Sequence, residues 1–275
     1  KKYNILIMTK AELVELIKRK KSFLCVGLDT DPDKLPASLK NTPDGVFEFN
    51  KAIIESTLPF AVSYKLNIAF YEAMGIEGWD ILQRTVDLIP PGEALIIADA
   101  KRGDIGNTAA RYGKAFFETL NCDAITVNPY MGEDSITPFL DYKGKWSIVL
   151  GLTSNKGAKD IELLKLQDGR YVFEAAMEAT AKLGSSEQIM FVVGATQTEY
   201  LGRIRKVAPD HFLLIPGVGA QGGKLKDLQV LMTSEVGVLV NSSRQIIYAS
   251  SGKDFAEASA IEAEKLQVQM GDMIT

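Results

Sequence analysis

Eight short apolar runs, each followed by a segment with helical periodicity, set the strongest constraint on how this chain folds. The runs are Phe23 to Leu28, Ala61 to Leu66, Ala94 to Ala98, Ala124 to Val127, Ser147 to Leu152, Ile189 to Val193, Phe212 to Ile215 and Val236 to Val240. Most are continuous in Val, Ile and Leu instead of alternating with polar residues, the pattern of parallel strands covered on both faces. Candidate helices lie between them at 44–58, 70–88, 105–120, 131–140, 170–184, 197–207, 223–231 and 253–269. Strand then helix, repeated eight times, predicts an α/β chain closed into a (β/α)8 TIM barrel in preference to an open doubly wound sheet. The length of 275 residues suits one such barrel, and no linker rich in Pro, Gly or Ser divides it. Thr9 is expected to cap an extra N-terminal helix through Lys20, so that 9–275 form one catalytic domain. Residues 1–8 read as an irregular extension, with Met8-Thr9-Lys10 as a natural start.

Charge and cysteine usage narrow the partners. A formal charge of −4 offers no basic footprint for nucleic acid, so an anionic partner should be a small ligand held by a few local cations. Cys25 and Cys122 sit in or beside apolar runs without metal spacing and read as isolated buried thiols of a cytoplasmic protein in preference to a lone disulfide. The N-terminal apolar stretch Ile5-Leu6-Ile7-Met8 is too short for a membrane span or a signal core.

Polar residues and glycines gather just after the runs: Asp29, Lys65, Asp99, Asn128, Thr153-Ser154, Gly194, Gly217 and Asn241-Ser242-Ser243. In a barrel this is the C-terminal rim, where sites are built from many loops. The sharpest segment is Asp99-Ala100-Lys101-Arg102-Gly103-Asp104, where a strand runs into a charged turn. Residues two apart on a strand share a face, so Asp99 and Lys101 should project together into the barrel mouth. Lys65 ends the preceding strand, which places its ammonium beside Asp99. On these residues alone, a structural ion pair with Asp104 as an ordinary helix cap stands against a catalytic charge array. A second segment, Pro216-Gly217-Val218-Gly219-Ala220-Gln221, ends the seventh run, and Asn241-Ser242-Ser243-Arg244 ends the eighth. Glycines that admit close backbone approach, beside an arginine that grips two oxygens at once, suit a phosphate.

Taken together, Asp99-Ala-Lys101-Arg-Gly-Asp104-Ile105-Gly-Asn-Thr108, Lys65 upstream and Pro216-Gly-Val-Gly-Ala-Gln221 downstream resemble the orotidine 5′-phosphate decarboxylases, most of all their longer bacterial branch. The likeness runs from about Ser22 to Arg244 with the motifs in order. It implies a homodimeric barrel that converts orotidine 5′-monophosphate to uridine 5′-monophosphate and CO2 with no cofactor and no metal. It also implies roles. Lys101 protonates the carbon left by CO2, with Lys65 and Asp99 as its partners in the array. Asp104 reaches the neighbouring subunit's site, with Ile105 and Thr108 beside the substrate. Asp29 binds ribose hydroxyls, Ser154 contacts the pyrimidine, Gln221 and Arg244 grip the phosphate, and Pro216 and Ser243 join the substrate-binding residues. Two departures from compact members are Ser243, where a glycine often precedes the arginine, and the long 155–169 loop.

Two other readings share parts of this pattern. Metal-dependent sugar-phosphate decarboxylases of the same superfamily resemble it in Asp-x-Lys-x-x-Asp, but their second strand ends in a glutamate where Lys65 stands here, and a cation there opposes metal binding. A catalytically silent phosphate-binding barrel would need no intact charge array. The single histidine, His211, falls at the start of the seventh run, opposite the rim, and is expected to be structural or exposed. Trp79 and Trp146 are expected to pack against the core or its shell.

Overall fold

The computed structural model describes residues 8–196, 198–217 and 225–274. Helix α1 (Lys10–Lys20) starts where Glu12 N–H donates to Thr9 Oγ1 at 3.2 Å and Thr9 N–H donates back to Glu12 Oε2 at 2.7 Å. This reciprocal cap satisfies donors that a first helical turn leaves unpaired. Met8, expected in the extension, instead belongs to the packed domain: it is buried, and its carbonyl accepts from the Trp146 indole N–H at 2.9 Å. The rest of the expected extension, residues 1–7, lies outside the described residues.

All eight apolar runs form strands: β1 (Leu24–Gly27), β2 (Ala61–Asn67), β3 (Leu95–Arg102), β4 (Ala124–Val127), β5 (Trp146–Leu150), β6 (Ile189–Val192), β7 (Leu213–Pro216) and β8 (Val238–Ser242). They are parallel, pair in sequence order, and close where β8 meets β1. Around them lie α2 (Gly45–Thr57), α3 (Ile68–Glu72), α4 (Gly75–Leu88), α5 (Gly106–Gly113) with a π-helical continuation Lys114–Thr119, α6 (Thr137–Leu140), α7 (Val172–Ala181), α8 (Leu201–Val207), α9 (Arg244–Ile247) and α10 (Phe255–Gly271). The expected 70–88 helix is two helices, α3 and α4, because Gly75 turns the chain at φ +67°. The expected 131–140 helix is a 3-10 turn, Glu133–Ser135, followed by α6, since Pro138 has no N–H to continue an α-helical ladder. Of the expected 223–231 helix, Leu225–Leu231 is a 3-10 segment and 223–224 lie outside the described residues.

The end of the barrel opposite the rim is built for stability. Lys20, buried there, donates to the carbonyls of Leu58, Ala61 and Glu93 at 2.7 to 2.9 Å, and burial pulls its ammonium down to about 8. Arg205 likewise donates to the Leu231, Ala208, His211 and Gly237 carbonyls, with burial lowering it to about 10. His211 is buried against Phe191, their rings 5.3 Å apart, and burial lowers its pKa. Trp146 is fully buried, whereas Trp79 is 37% exposed and only flanks Phe116. Cys25 and Cys122 are buried and free, and burial pushes each thiol up to about 12. Among the described residues no helix is long and apolar enough to cross a membrane.

Candidate active site

At the C-terminal rim, register sets the charges against one another. Asn67 of β2 pairs with Asp99 of β3, so Lys65, two residues earlier on the same face, sits just below and reaches upward. Its ammonium donates to Asp99 Oδ2 at 2.8 Å and lies 3.6 Å from Asp29 Oδ1. Burial alone would lower Lys65, but the Asp99 and Asp29 carboxylates outweigh it and hold the group above the ordinary lysine range. Burial would raise Asp99, yet the Lys65 and Lys101 ammoniums keep its carboxyl well below the usual carboxylate range.

Lys101 meets Asp99 as expected, with Nζ donating to Oδ1 at 2.6 Å, but not by simple strand alternation. Between Ala98 and Arg102, β3 takes four steps while β4 takes two, from Ile125 to Val127. The extra length is a bulge, and Lys101 adopts a left-handed backbone at φ +44°. Thr126 bridges the bulge: it accepts from Lys101 N–H at 2.8 Å and donates to Asp99 Oδ1 at 3.0 Å. The result is a chain of alternating charge, with Lys65 buried and Lys101 half exposed toward the opening.

A cavity of about 310 Å³ opens above these groups, within the range of small-ligand sites. Asp29, Lys65, Asp99, Lys101, Ser154, Pro216, Ser243 and Arg244 all line it. Asp29 Oδ1, Ser242 Oγ and Ser243 Oγ are buried without a hydrogen-bond partner among the described residues, a condition that a ligand bearing hydroxyl or phosphate groups would relieve. Arg244, at the start of α9, is exposed, and Gly217, which lines the same cavity, has φ +95°. Ser154 is set by two neighbours. A Cβ at Gly194 would stand 2.7 Å from the Ser154 backbone N and Cα, so only glycine admits this approach. From the long loop, the Glu162 carboxylate accepts from Thr153 N–H at 2.7 Å and from its hydroxyl at 2.8 Å.

Asp104, Ile105 and Thr108 do not line the single-chain cavity. Asp104 is not the cap of α5, a position that Ile105 fills; its Oδ1 accepts from Ile105 N–H at 2.8 Å. Gln221 lies outside the described residues. Asn67 and Thr126 line the cavity although the sequence reading passed over them. The signal was available: Asn67 follows Lys65 at strand spacing, and Thr126 is the one hydroxyl in an otherwise apolar run.

Comparison with known proteins agrees with this geometry. The family model described as "Orotidine 5′-phosphate decarboxylase / HUMPS family" matches residues 22–259. The orotidine 5′-phosphate decarboxylase of Bacteroides fragilis is 51% identical over 97% of this chain and 98% of its own length. That of Christiangramia forsetii is 53% identical over 96% and 97%, respectively. Among solved structures, Leishmania donovani OMP decarboxylase superposes with a TM-score of 0.76 at 35% identity, covering 95% of this chain and 99% of that one. With the fold, the rim charges and these full-length likenesses in agreement, the chain belongs to the orotidine 5′-phosphate decarboxylase / HUMPS family.

Proposed function

We propose that this chain decarboxylates orotidine 5′-monophosphate to uridine 5′-monophosphate and CO2 in pyrimidine biosynthesis, with no cofactor. The observation that carries the reading is the Lys101 ammonium, held 2.6 Å from Asp99 yet half exposed to the cavity. In the reaction the bond between the ring carbon and the carboxylate breaks, and its electron pair stays on the ring carbon. Lys101 first stabilises that charge and then delivers a proton to the same carbon. Asp99, fixed by Lys65 and Thr126, keeps the donor aimed. Asp29 takes the ribose hydroxyls and Ser154 the pyrimidine, while Pro216, Gln221, Ser243 and Arg244 surround the phosphate.

Magnitudes say that the lysine does not act alone. An ammonium 4 Å from a unit negative charge contributes about 4 kcal/mol at an effective dielectric near 20, roughly a thousandfold in rate. Much of the remaining acceleration therefore draws on binding energy at the phosphate end, which holds the ring against the charge array. The HUMPS side of the family raises the metal-dependent alternative, and Lys65 argues against it. Its ammonium occupies the space between Asp29 and Asp99, where a divalent ion would need carboxylate oxygens to itself.

Asp104, Ile105 and Thr108 act in a homodimer, where Asp104 completes the partner's site. Ile105, Tyr130 and Met131, in the loops after β3 and β4, are exposed apolar side chains suited to such an interface. Two buried free thiols fit a reducing cytoplasm, and the mild negative charge fits neither nucleic acid nor an anionic membrane surface as partner. The deciding experiment follows the ultraviolet change of orotidine 5′-monophosphate in chelator-treated buffer. Turnover that survives chelation is expected. Activity lost with the chelator and restored by Mg2+ would favour the metal-dependent alternative, and tight nucleotide binding without turnover would leave only a binding protein.

A further inference from the structure

We propose that Arg102, whose side chain does not line the cavity, is a positioning residue for the Lys101 ammonium. The inference rests on the decarboxylase reading and adds a residue to that same site. Lys101 sits in the left-handed region at φ +44°, a conformation that is strained for a non-glycine residue and persists only where neighbours enforce it. Both ends of the peptide entering Lys101 are held. Its N–H donates to Thr126 Oγ1 at 2.8 Å, and its carbonyl, that of Ala100, accepts from Arg102 Nη1 at 3.0 Å. The Arg102 carbonyl then accepts from Asn128 N–H at 2.8 Å, which restores the pairing of β3 with β4 beyond the bulge.

The guanidinium is itself fixed. Its Nη2 donates to Glu72 Oε1 at the end of α3, and its carbon lies 5.1 Å from the Tyr112 ring centroid and 5.4 Å from that of Phe116. A planar cation with donors on two nitrogens bridges Ala100 and Glu72 while resting on those rings; a lysine ammonium has neither the fork nor the plane. Thus α3 and α5 brace, through Arg102, the turn that aims Lys101 at Asp99. Without the guanidinium the Ala100 carbonyl is released, Lys101 relaxes toward an ordinary strand backbone, and its ammonium leaves the reacting carbon. The pyrimidine and phosphate contacts stand on β5, β7 and β8 and do not depend on that turn.

The test is a comparison of Arg102→Lys, Arg102→Ala and Glu72→Gln with the unmodified chain, each checked for folding by circular dichroism at the assay temperature. Misplacement of the proton donor by about 1 Å predicts a roughly hundredfold loss of kcat in Arg102→Lys, with KM and uridine 5′-monophosphate affinity within about threefold. Glu72→Gln should show a smaller loss of the same kind. If Arg102→Ala does not fold, the other two variants carry the comparison. A folded Arg102→Lys that keeps kcat, or one whose loss falls on nucleotide affinity instead, overturns the proposal and leaves the decarboxylase reading intact. An unmodified chain without turnover overturns both.

Discussion

One carboxylate serves two lysines, and the exposure of each lysine separates their work. Asp99 gives Oδ2 to Lys65, whose side chain is 7% exposed, and Oδ1 to Lys101, which is 52% exposed. Removing Lys65 leaves no cation between Asp29 and Asp99, with Lys101 reaching only the outer oxygen of Asp99, and breaking a buried pair in this way costs on the order of 3–5 kcal/mol. Lys101→Ala leaves the buried pair in place, so its stability should stay within about 1 kcal/mol while turnover vanishes. Urea unfolding and the decarboxylation assay on the two variants check this, and equal destabilisation by both would contradict the division of labour. The same groups set a pH dependence. The folded pKa of Asp99 lies below its unfolded one, so its contribution is complete above the unfolded value of about 4 and fades as pH falls toward the folded value. Lys65 is raised, so its contribution is complete below about 10.4 and fades as pH climbs. Asp99→Asn should therefore flatten the acid limb of unfolding free energy against pH, measured by urea unfolding from neutrality to about pH 3.

At the scale of elements, what was legible and what was not divide along a physical line. Strands buried on both faces are close to continuously apolar, so the eight runs could be read largely from residue type. Lys65, Asp99 and Lys101 were legible because charge at the end of such a run has few explanations. The bulge at Lys101 was not, since its left-handed turn depends on Thr126 and Arg102, partners that become neighbours only after β3 and β4 align. The breaks at Gly75 and Pro138 were written in the sequence, but periodicity on either side hid them. Arg244 opens α9, only four residues long, and, among the described residues, forms no ion pair. A cation with no ion-pair partner among the described residues should be costly to lose chiefly when ligand is present. Arg244→Ala is expected to weaken uridine 5′-monophosphate binding by about 1.5–3 kcal/mol, the worth of hydrogen bonds to a charged group. Unfolding free energy should change by less than about 0.5 kcal/mol. Calorimetric titration beside urea unfolding separates the two, and unchanged affinity would remove Arg244 from the phosphate site.

For the whole molecule, Asp104 is the residue that tests whether the site is shared between two copies. Asp104 is partly exposed, accepts only from the adjacent Ile105 N–H among the described contacts, and stands apart from the cavity that holds Lys101. A carboxylate so placed could meet a second copy's cavity in a two-fold dimer, which contacts the same patch from both sides. Lys101→Ala and Asp104→Ala should each be inactive as homodimers. In a dimer that carries one of each, the site with an intact Lys101 receives an intact Asp104 from its partner, while the other site lacks both. Equal mixing after dissociation and reassociation makes half of the dimers mixed, so about a quarter of the unmodified activity should return. If Asp104 acts within its own chain, each mixed dimer holds two singly damaged sites and nothing returns, which makes the assay of the mixture decisive for a shared active site.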